Sequence, residues 1–376
     1  MATGFMTDTL FFWHDTGTAA LMLPADPLAG VEPDAHVESG RTKRRGVELL
    51  DVTGLLDTMQ RVRARPATIG ELLRVHTDAY VQRVADASAQ SRGGDAGDGF
   101  TPLGRGSAEI ARLAAGGVLE LVTAVASGNL TNGYALVRPP GHHAVAGMGM
   151  GFCVFNNAAL AVRHAQAQLG LRRIAIVDLD THHGNGGQEL FYNDPSVLHI
   201  SIHEAGAFPP NSGWIDENGA DAGEGYTINI PLPMGSGHAA WLYAMHQVVL
   251  PALQRFQPEL IIVPVGFDGG CFEPLARQAL VVDSYRQMAR LLSRAAERLC
   301  DGRIVGISEG GYSSGMAPWC LVGFIEGLTG ETGSLTDPWA GVTAGYAAAP
   351  MLPHQQDVID QAARLLPSIT TAVPAT

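Results

Sequence analysis

"RIAIVDLDTHHGNG" (residues 173–186) runs from an apolar stretch straight into a cluster of ionisable side chains. Ile174 to Val177 is continuously apolar rather than alternating, the pattern of a strand covered on both faces in a parallel sheet. Asp178, Asp180, His182 and His183 follow within six positions, and Gly184, Asn185 and Gly186 then supply the backbone freedom of a strand-end loop. Charged and polar groups this dense add little to folding stability unless something pairs them.

Five further runs resemble the first: "YALVR" (134–138), "SVLHISIH" (196–203), "YTINIPL" (226–232), "LIIVPVGFD" (260–268) and "RIVGISEGGY" (303–312). Segments 157–170, 238–256 and 284–299 lie between them and carry apolar residues at three- and four-residue spacing, which predicts helices. Alternating strand and helix predicts an α/β chain with a mainly parallel sheet. With no internal repeat and no convincing linker, the expectation is a single domain over 1–376. "SRGGDAGDGF" (91–100) reads as a surface loop. The tail after Pro338 is weakly patterned, and its last ten residues are expected to be mobile.

The 376 residues are 46% hydrophobic and 16% charged, with a formal net charge of −13. That balance argues against direct nucleic-acid binding, which needs a basic face. Lys43 is the single lysine. Cys153, Cys271, Cys300 and Cys320 are scattered with no CxxC pair, so a reducing cytoplasm is the expected compartment. The first fifteen residues lack a basic n-region, and no apolar stretch approaches the ~20 residues of a membrane helix, so no membrane partner is expected.

Polar residues collect where the strands end, which is where open α/β sheets bind ligands. Asp180 and His182, at i and i+2 of an extended segment, point the same way and can converge on one cation. Asp268, between Gly266 and Gly269, is the candidate third ligand. An O, N, O set suits zinc and also accepts Fe(II) or Co(II). An isolated DxH is more often a turn cap beside a packed histidine; here a second strand-end Asp and an adjacent histidine shift the reading. His142 and His143, held after Pro-Pro-Gly, suit proton transfer, with Asp178 and Asn185 as candidate acceptors on their far nitrogens. Tyr312 closes "EGGY", where a phenol could stabilise a developing oxyanion. Phe152 and Phe208, in Gly/Pro-rich loops, suit either a narrow apolar channel or the core.

"RPPGHHA", "MGFCVFNN", "DLDTHHGNG", "ISIH", "FPPNSG", "GFD" and "EGGY" stand in the order found in the zinc-dependent histone deacetylases and acetylpolyamine amidohydrolases. The chain resembles that superfamily over about residues 10–330, most closely its class II branch and the bacterial histone deacetylase-like amidohydrolases. The resemblance implies the arginase/deacetylase fold, a three-layer α/β/α sandwich around an eight-stranded parallel sheet. It matches Asp180, His182 and Asp268 to the zinc ligands, His142 and His143 to the tandem histidines, Asp178 to the partner of His142, and Tyr312 to the transition-state tyrosine. Phe152 and Phe208, with Gly151, match the channel walls, and Asp98 the rim aspartate that holds the substrate backbone. It also implies two potassium sites. The first involves Asp178, Ser201 and Ile202 with the backbone of Asp180 and His182; the second involves Phe191, Asp194, Val197 and Tyr226. Gly187, and Pro264-Val265 before "GFD", depart from the usual pattern without touching a ligand.

The function so implied is a zinc-dependent amidohydrolase that removes acetyl groups from acyl-lysine in proteins or peptides. Hydrolysis of a small acetylated amine such as an acetylpolyamine is the alternative, and an acetyl-lysine reader without catalysis is a third. An arginase-like dimetal hydrolase would need further Asp ligands, of which only Asp178 is spare. In polyamine-specific relatives a glutamate shortly after "GFD" selects the cation; its match here is Leu275, with Glu273 two positions away. Self-association into a homo-oligomer is left open.

Overall fold

The computed structural model describes residues 2–369. Eight strands form one parallel sheet: β1 (Thr3–Met6), β2 (Met59–Val62), β3 (Asn132–Ala135), β4 (Ile174–Asp178), β5 (Val197–Glu204), β6 (Thr227–Leu232), β7 (Leu260–Val265) and β8 (Ile304–Ser308). Their spatial order is β6-β5-β4-β7-β8-β3-β1-β2. Each apolar run feeds both faces of this sheet with a period of two. In β4, Ala175 and Val177 join one core, and Ile174 and Ile176 the other. In β7, Ile261, Val263 and Val265 face the first core, and Leu260 and Ile262 the second. That explains why the strands read as unbroken apolar runs. The family fold expected from the sequence, helices on both faces of an eight-stranded parallel sheet, is the one observed.

Helices Val282–Cys300 and Ala317–Thr329 pack against each other over the first core, and Ser107–Ala126 and Asn157–Leu169 over the second. The segment expected to be one helix over 238–256 is broken. Two α-helical pieces, His238–Ala244 and Leu250–Phe256, flank a π-turn at Met245–Val249. Pro251 is the cause: it has no N–H to give and crowds the carbonyl four residues back, and a widened turn relieves both problems. Two strands carried no sequence signal. β1 is four residues long, and β2, at the sheet edge, has two exposed residues, Gln60 and Arg61, between half-buried Met59 and Val62.

Chain reversal occurs between β4 and β7. From β4 the chain runs outward through β5 and β6, then returns on the other side of β4 as β7. Such a switch point leaves a crevice at the carboxyl ends of the two strands. β4, β7, β8 and β3 are consecutive neighbours, so the polar loops that follow them open into one place.

The weakly patterned tail contains the helix Pro353–Ala363, which packs against the outermost strand β6. Ile359 and Ala362 are fully buried in the first core. Residues 370–376, part of the tail expected to be mobile, lie outside the described residues. Because Ile359 completes the core over β6, Ile359→Ala is expected to cost about 2–5 kcal/mol. Urea unfolding checks this, and an unchanged midpoint would show that the tail helix adds nothing to the core.

Candidate active site

The loop after β4 carries Asp180 and His182, and the turn after β7 carries Asp268. All three side chains are buried. His182 Nδ1 lies 3.1 Å from Asp180 Oδ1 and 3.1 Å from Asp268 Oδ2. One imidazole nitrogen carries at most one hydrogen and cannot serve two carboxylates at once. Burial and the neighbouring Asp180 push the Asp268 carboxyl above its ordinary range. The three donor atoms fall within 4.8 Å of one another, and a shared cation resolves both the repulsion and the surplus of acceptors. The O, N, O donor set therefore fits a metal ion. Backbone amides fix the carboxylates: Gly310 N–H donates to Asp180 Oδ2 at 2.9 Å, and Thr181 N–H to Asp268 Oδ1 at 3.2 Å. A Cβ at Gly266 or Gly310 would overlap one of these carboxylates, so the strand-end glycines give the cluster its room.

The loop after β3 brings His142 and His143 alongside, ring centroids 3.9 Å apart. His142 Nδ1 meets Asp178 Oδ2 at 3.0 Å, and His143 Nδ1 meets Asn185 Oδ1 at 2.7 Å. Asn185 donates its own amide hydrogen to the His143 carbonyl, so its oxygen faces the ring. His143 Nδ1 then carries the proton, and Nε2 keeps its lone pair. Burial alone would lower His142, but the charges of Asp180 and Asp178 outweigh it and raise the imidazole to about 10. Burial, with His142 and His182 beside it, pushes His143 well below the usual histidine range. Glu309, buried and pushed up to about 7 by desolvation, accepts from the amides of Gly141 and His142 at 2.7 and 3.2 Å. Arg138, fully buried, pins the start of the same turn through Glu38 at 2.8 Å.

A cleft of about 260 Å³ leads down to this cluster. His143 and His182 lie on its lining, with Phe152, Phe208, Leu275, Tyr312 and Gly151 around them and Met22, Phe100 and Ala207 completing it. Phe208 stands edge-on to His143 at 4.9 Å, and Phe152 edge-on to Tyr312 at 6.0 Å. Phe152 has φ +71°, an uncommon conformation for a bulky residue. Two backbone bonds hold it there, from Phe152 N–H to Thr101 Oγ1 at 3.0 Å and from Gly151 N–H to Asp98 Oδ2 at 2.8 Å. Asp98 thus ties the surface loop to the wall. Burial and Asp268 push the Tyr312 phenol well above its ordinary value, so it stays a hydrogen-bond donor. Leu275 faces the cleft. Glu273 does not: it is buried, and its carboxylate accepts from the amides of Tyr312 and Ser313. Lys43 donates to the carbonyls of Glu309 and Gly310 on the other side of the tyrosine.

Around the first candidate potassium site, Ser201 pairs in register with Asp178, and Gly184 N–H reaches Ser201 Oγ at 3.3 Å. Ile202 follows on the same strand. Phe191, Asp194 and Val197 follow one another through a pair of turns, Asp194 N–H bonding Phe191 O and Val197 N–H bonding Asp194 O; Tyr226 O accepts from His199. Each of these carbonyls has a second lone pair.

Sequence reasoning passed over Met22, Phe100, Lys43 and Glu309. Glu309 was visible in "EGGY", whereas Met22 and Phe100 sit in irregular loops that no pattern singles out.

A family model described as "Histone deacetylase domain" matches residues 36–328. The chain is 45% identical over 342 residues to a histone deacetylase-like amidohydrolase of Pseudomonas aeruginosa, covering 89% of this chain and 88% of that one. It is 35% identical to the human polyamine deacetylase HDAC10, over 93% of this chain and 54% of that one. The crystal structure of the HDA15 HD domain superposes with a TM-score of 0.82 at 33% identity, covering 98% of this chain and 96% of that one.

Three convergent donors should bind one divalent ion per chain, and Asp268→Ala should lose it by removing one donor of three. Metal content after dialysis and reconstitution measures this. A fully loaded Asp268→Ala variant would mean that the third donor is another residue.

Proposed function

The chain belongs to the histone deacetylase family, and we propose that it is a zinc-dependent amidohydrolase that removes acetyl groups from the side-chain amine of acyl-lysine in proteins or peptides. The observation that carries the choice of substrate is the orientation of the loop after β7. Leu275 faces the cleft, while the carboxylate of Glu273 is turned onto the Tyr312 amide. A neutral methylene stem gains about 0.8 kcal/mol per buried CH₂ along Phe152, Phe208 and Leu275. A free polyamine end finds no carboxylate at that point.

The ion held by Asp180, His182 and Asp268 would supply a Lewis acid that polarises the amide carbonyl and activates water. His143, its Nδ1–H bonded to Asn185, offers Nε2 to take the proton of the attacking water and later return it to the leaving amine. Asp178 holds His142 by its Nδ1, with its ring beside that of His143. Tyr312 donates its phenol to the carbonyl oxygen as it becomes an oxyanion. Asp98 braces Gly151 and, as the rim aspartate, would hold the substrate backbone. Potassium at Asp178, Ser201 and Ile202 and at Phe191, Asp194, Val197 and Tyr226 would serve structure. Among the described residues no helix is long and apolar enough to cross a membrane.

Acetylpolyamine hydrolysis is the competing reading, favoured by the resemblance to a polyamine deacetylase and by the net charge of −13. Steady-state kinetics separate the two. Acetyl-lysine peptides should show the higher kcat/KM, and Leu275→Glu should move the preference toward acetylputrescine and acetylspermidine; a wild-type preference for the polyamines would reverse the assignment. Tyr312→Phe, which keeps the ring, should retain fold and metal and lose ~10²–10³ in kcat. An unchanged kcat would leave Tyr312 as a packing residue.

A further inference from the structure

Tyr312 follows two glycines, Gly310 and Gly311, the latter at φ +120°. That dipeptide has no side chains to limit the backbone, so it cannot by itself aim the phenol. The restraint has to come from groups that grip the chain on either side. Upstream, Lys43 bonds the carbonyls of Glu309 and Gly310. Downstream, Glu273 Oε2 accepts from Tyr312 N–H at 2.7 Å and from Ser313 N–H at 3.0 Å, and Oε1 accepts from Ser313 N–H at 2.9 Å.

Among the described residues the Glu273 carboxylate bonds to nothing except these two amides. Both oxygens act as acceptors, and these backbone bonds work against the burial that pushes the carboxyl up to about 8. Burying a carboxylate is costly unless its hydrogen bonds are made, and here they all go to the backbone of the tyrosine loop. The remainder of the Glu273 loop has separate anchors: Glu204 Oε2 takes Arg277 N–H at 2.7 Å and the Gln278 side chain at 3.2 Å. The position of Leu275 therefore has support that does not pass through Glu273.

We propose that Glu273 is a positioning residue for catalysis, fixing the Tyr312 amide so that the phenol meets the carbonyl oxygen, and that it is not a selector of cationic substrates. This rests on the reading of Tyr312 as the oxyanion donor. The test is a double-mutant cycle on the zinc-loaded enzyme with an acetyl-lysine peptide. Glu273→Gln keeps volume but offers one acceptor oxygen where there were two. It should lower kcat about 10- to 100-fold, within the ~10²–10³ attributable to one oxyanion donor. Zinc content should hold, and KM should stay within about threefold, because Leu275 is anchored independently. In the Tyr312→Phe background the same substitution should change kcat by less than about twofold, since a residue that acts through the phenol has nothing left to aim.

A merely structural role would lower kcat equally in both backgrounds, and that additivity overturns the proposal. So does a Glu273→Gln enzyme with wild-type kcat, or one whose only change is a lost preference for acetylpolyamines. If Glu273→Gln does not fold, Glu273→Asp, which keeps the carboxyl but retracts it by one methylene, takes its place in the cycle, and additivity or a wild-type kcat again overturns the proposal. A Tyr312→Phe enzyme with wild-type kcat refutes the oxyanion reading itself, and the role of Glu273 falls with it. A slow Tyr312→Phe enzyme with additive Glu273→Gln refutes only the positioning role.

Discussion

Two carboxylates, Asp180 and Asp268, are held fully buried against one imidazole nitrogen. Like charges removed from water repel strongly, and a single shared hydrogen cannot reconcile them. The surrounding structure is arranged around that conflict. Backbone amides from the β4 and β8 loops bond the carboxylate oxygens, and glycines stand where any Cβ would collide with them. Such a site is unfavourable for the empty chain and favourable once a cation arrives. The free energy of ion binding and the stability of these loops are therefore linked.

The sheet makes the convergence possible. Asp180 and His182 follow β4, Asp268 follows β7, Tyr312 follows β8, and the paired histidines follow β3; the four strands are immediate neighbours. At the β4/β7 reversal two loops part and leave space between them. Helices on both faces keep the strands parallel and dry. A rigid base thus delivers four sequence-distant loops to one place, and the loops vary in how they are tied down.

How much the sequence revealed follows from how each part is encoded. The strands that build the site were legible because burial on both faces leaves continuous apolar runs, as in Ile174–Val177 and Leu260–Val265. The candidate ligands were legible because residue types and order are diagnostic: Asp180-x-His182 and an Asp after "GF" have few other uses together, and the structure brings the three side chains together. β1 and β2 were hidden because a four-residue strand carries too little pattern to count. The break at Met245–Val249 was signalled by Pro251 yet overridden by the helical spacing around it. The roles of Glu273 and Lys43 could not be read, because each acts on backbone amides or carbonyls far along the chain, and such contacts leave no residue-type pairing in the sequence. Sequence left Glu273 and Leu275 as rival occupants of the cleft; the hydrogen bonds of Glu273 give it a different task.

Lys43 has one more consequence. It is the only lysine among 376 residues, and it is buried with its ammonium on two carbonyls. Apart from histidines, the other basic side chains are arginines, whose guanidinium groups stay protonated and are poor nucleophiles toward acyl donors. The chain therefore exposes no ε-amine. A chain whose family works on acylated amines thus presents no lysine side chain of its own to acyl donors or to its own active site.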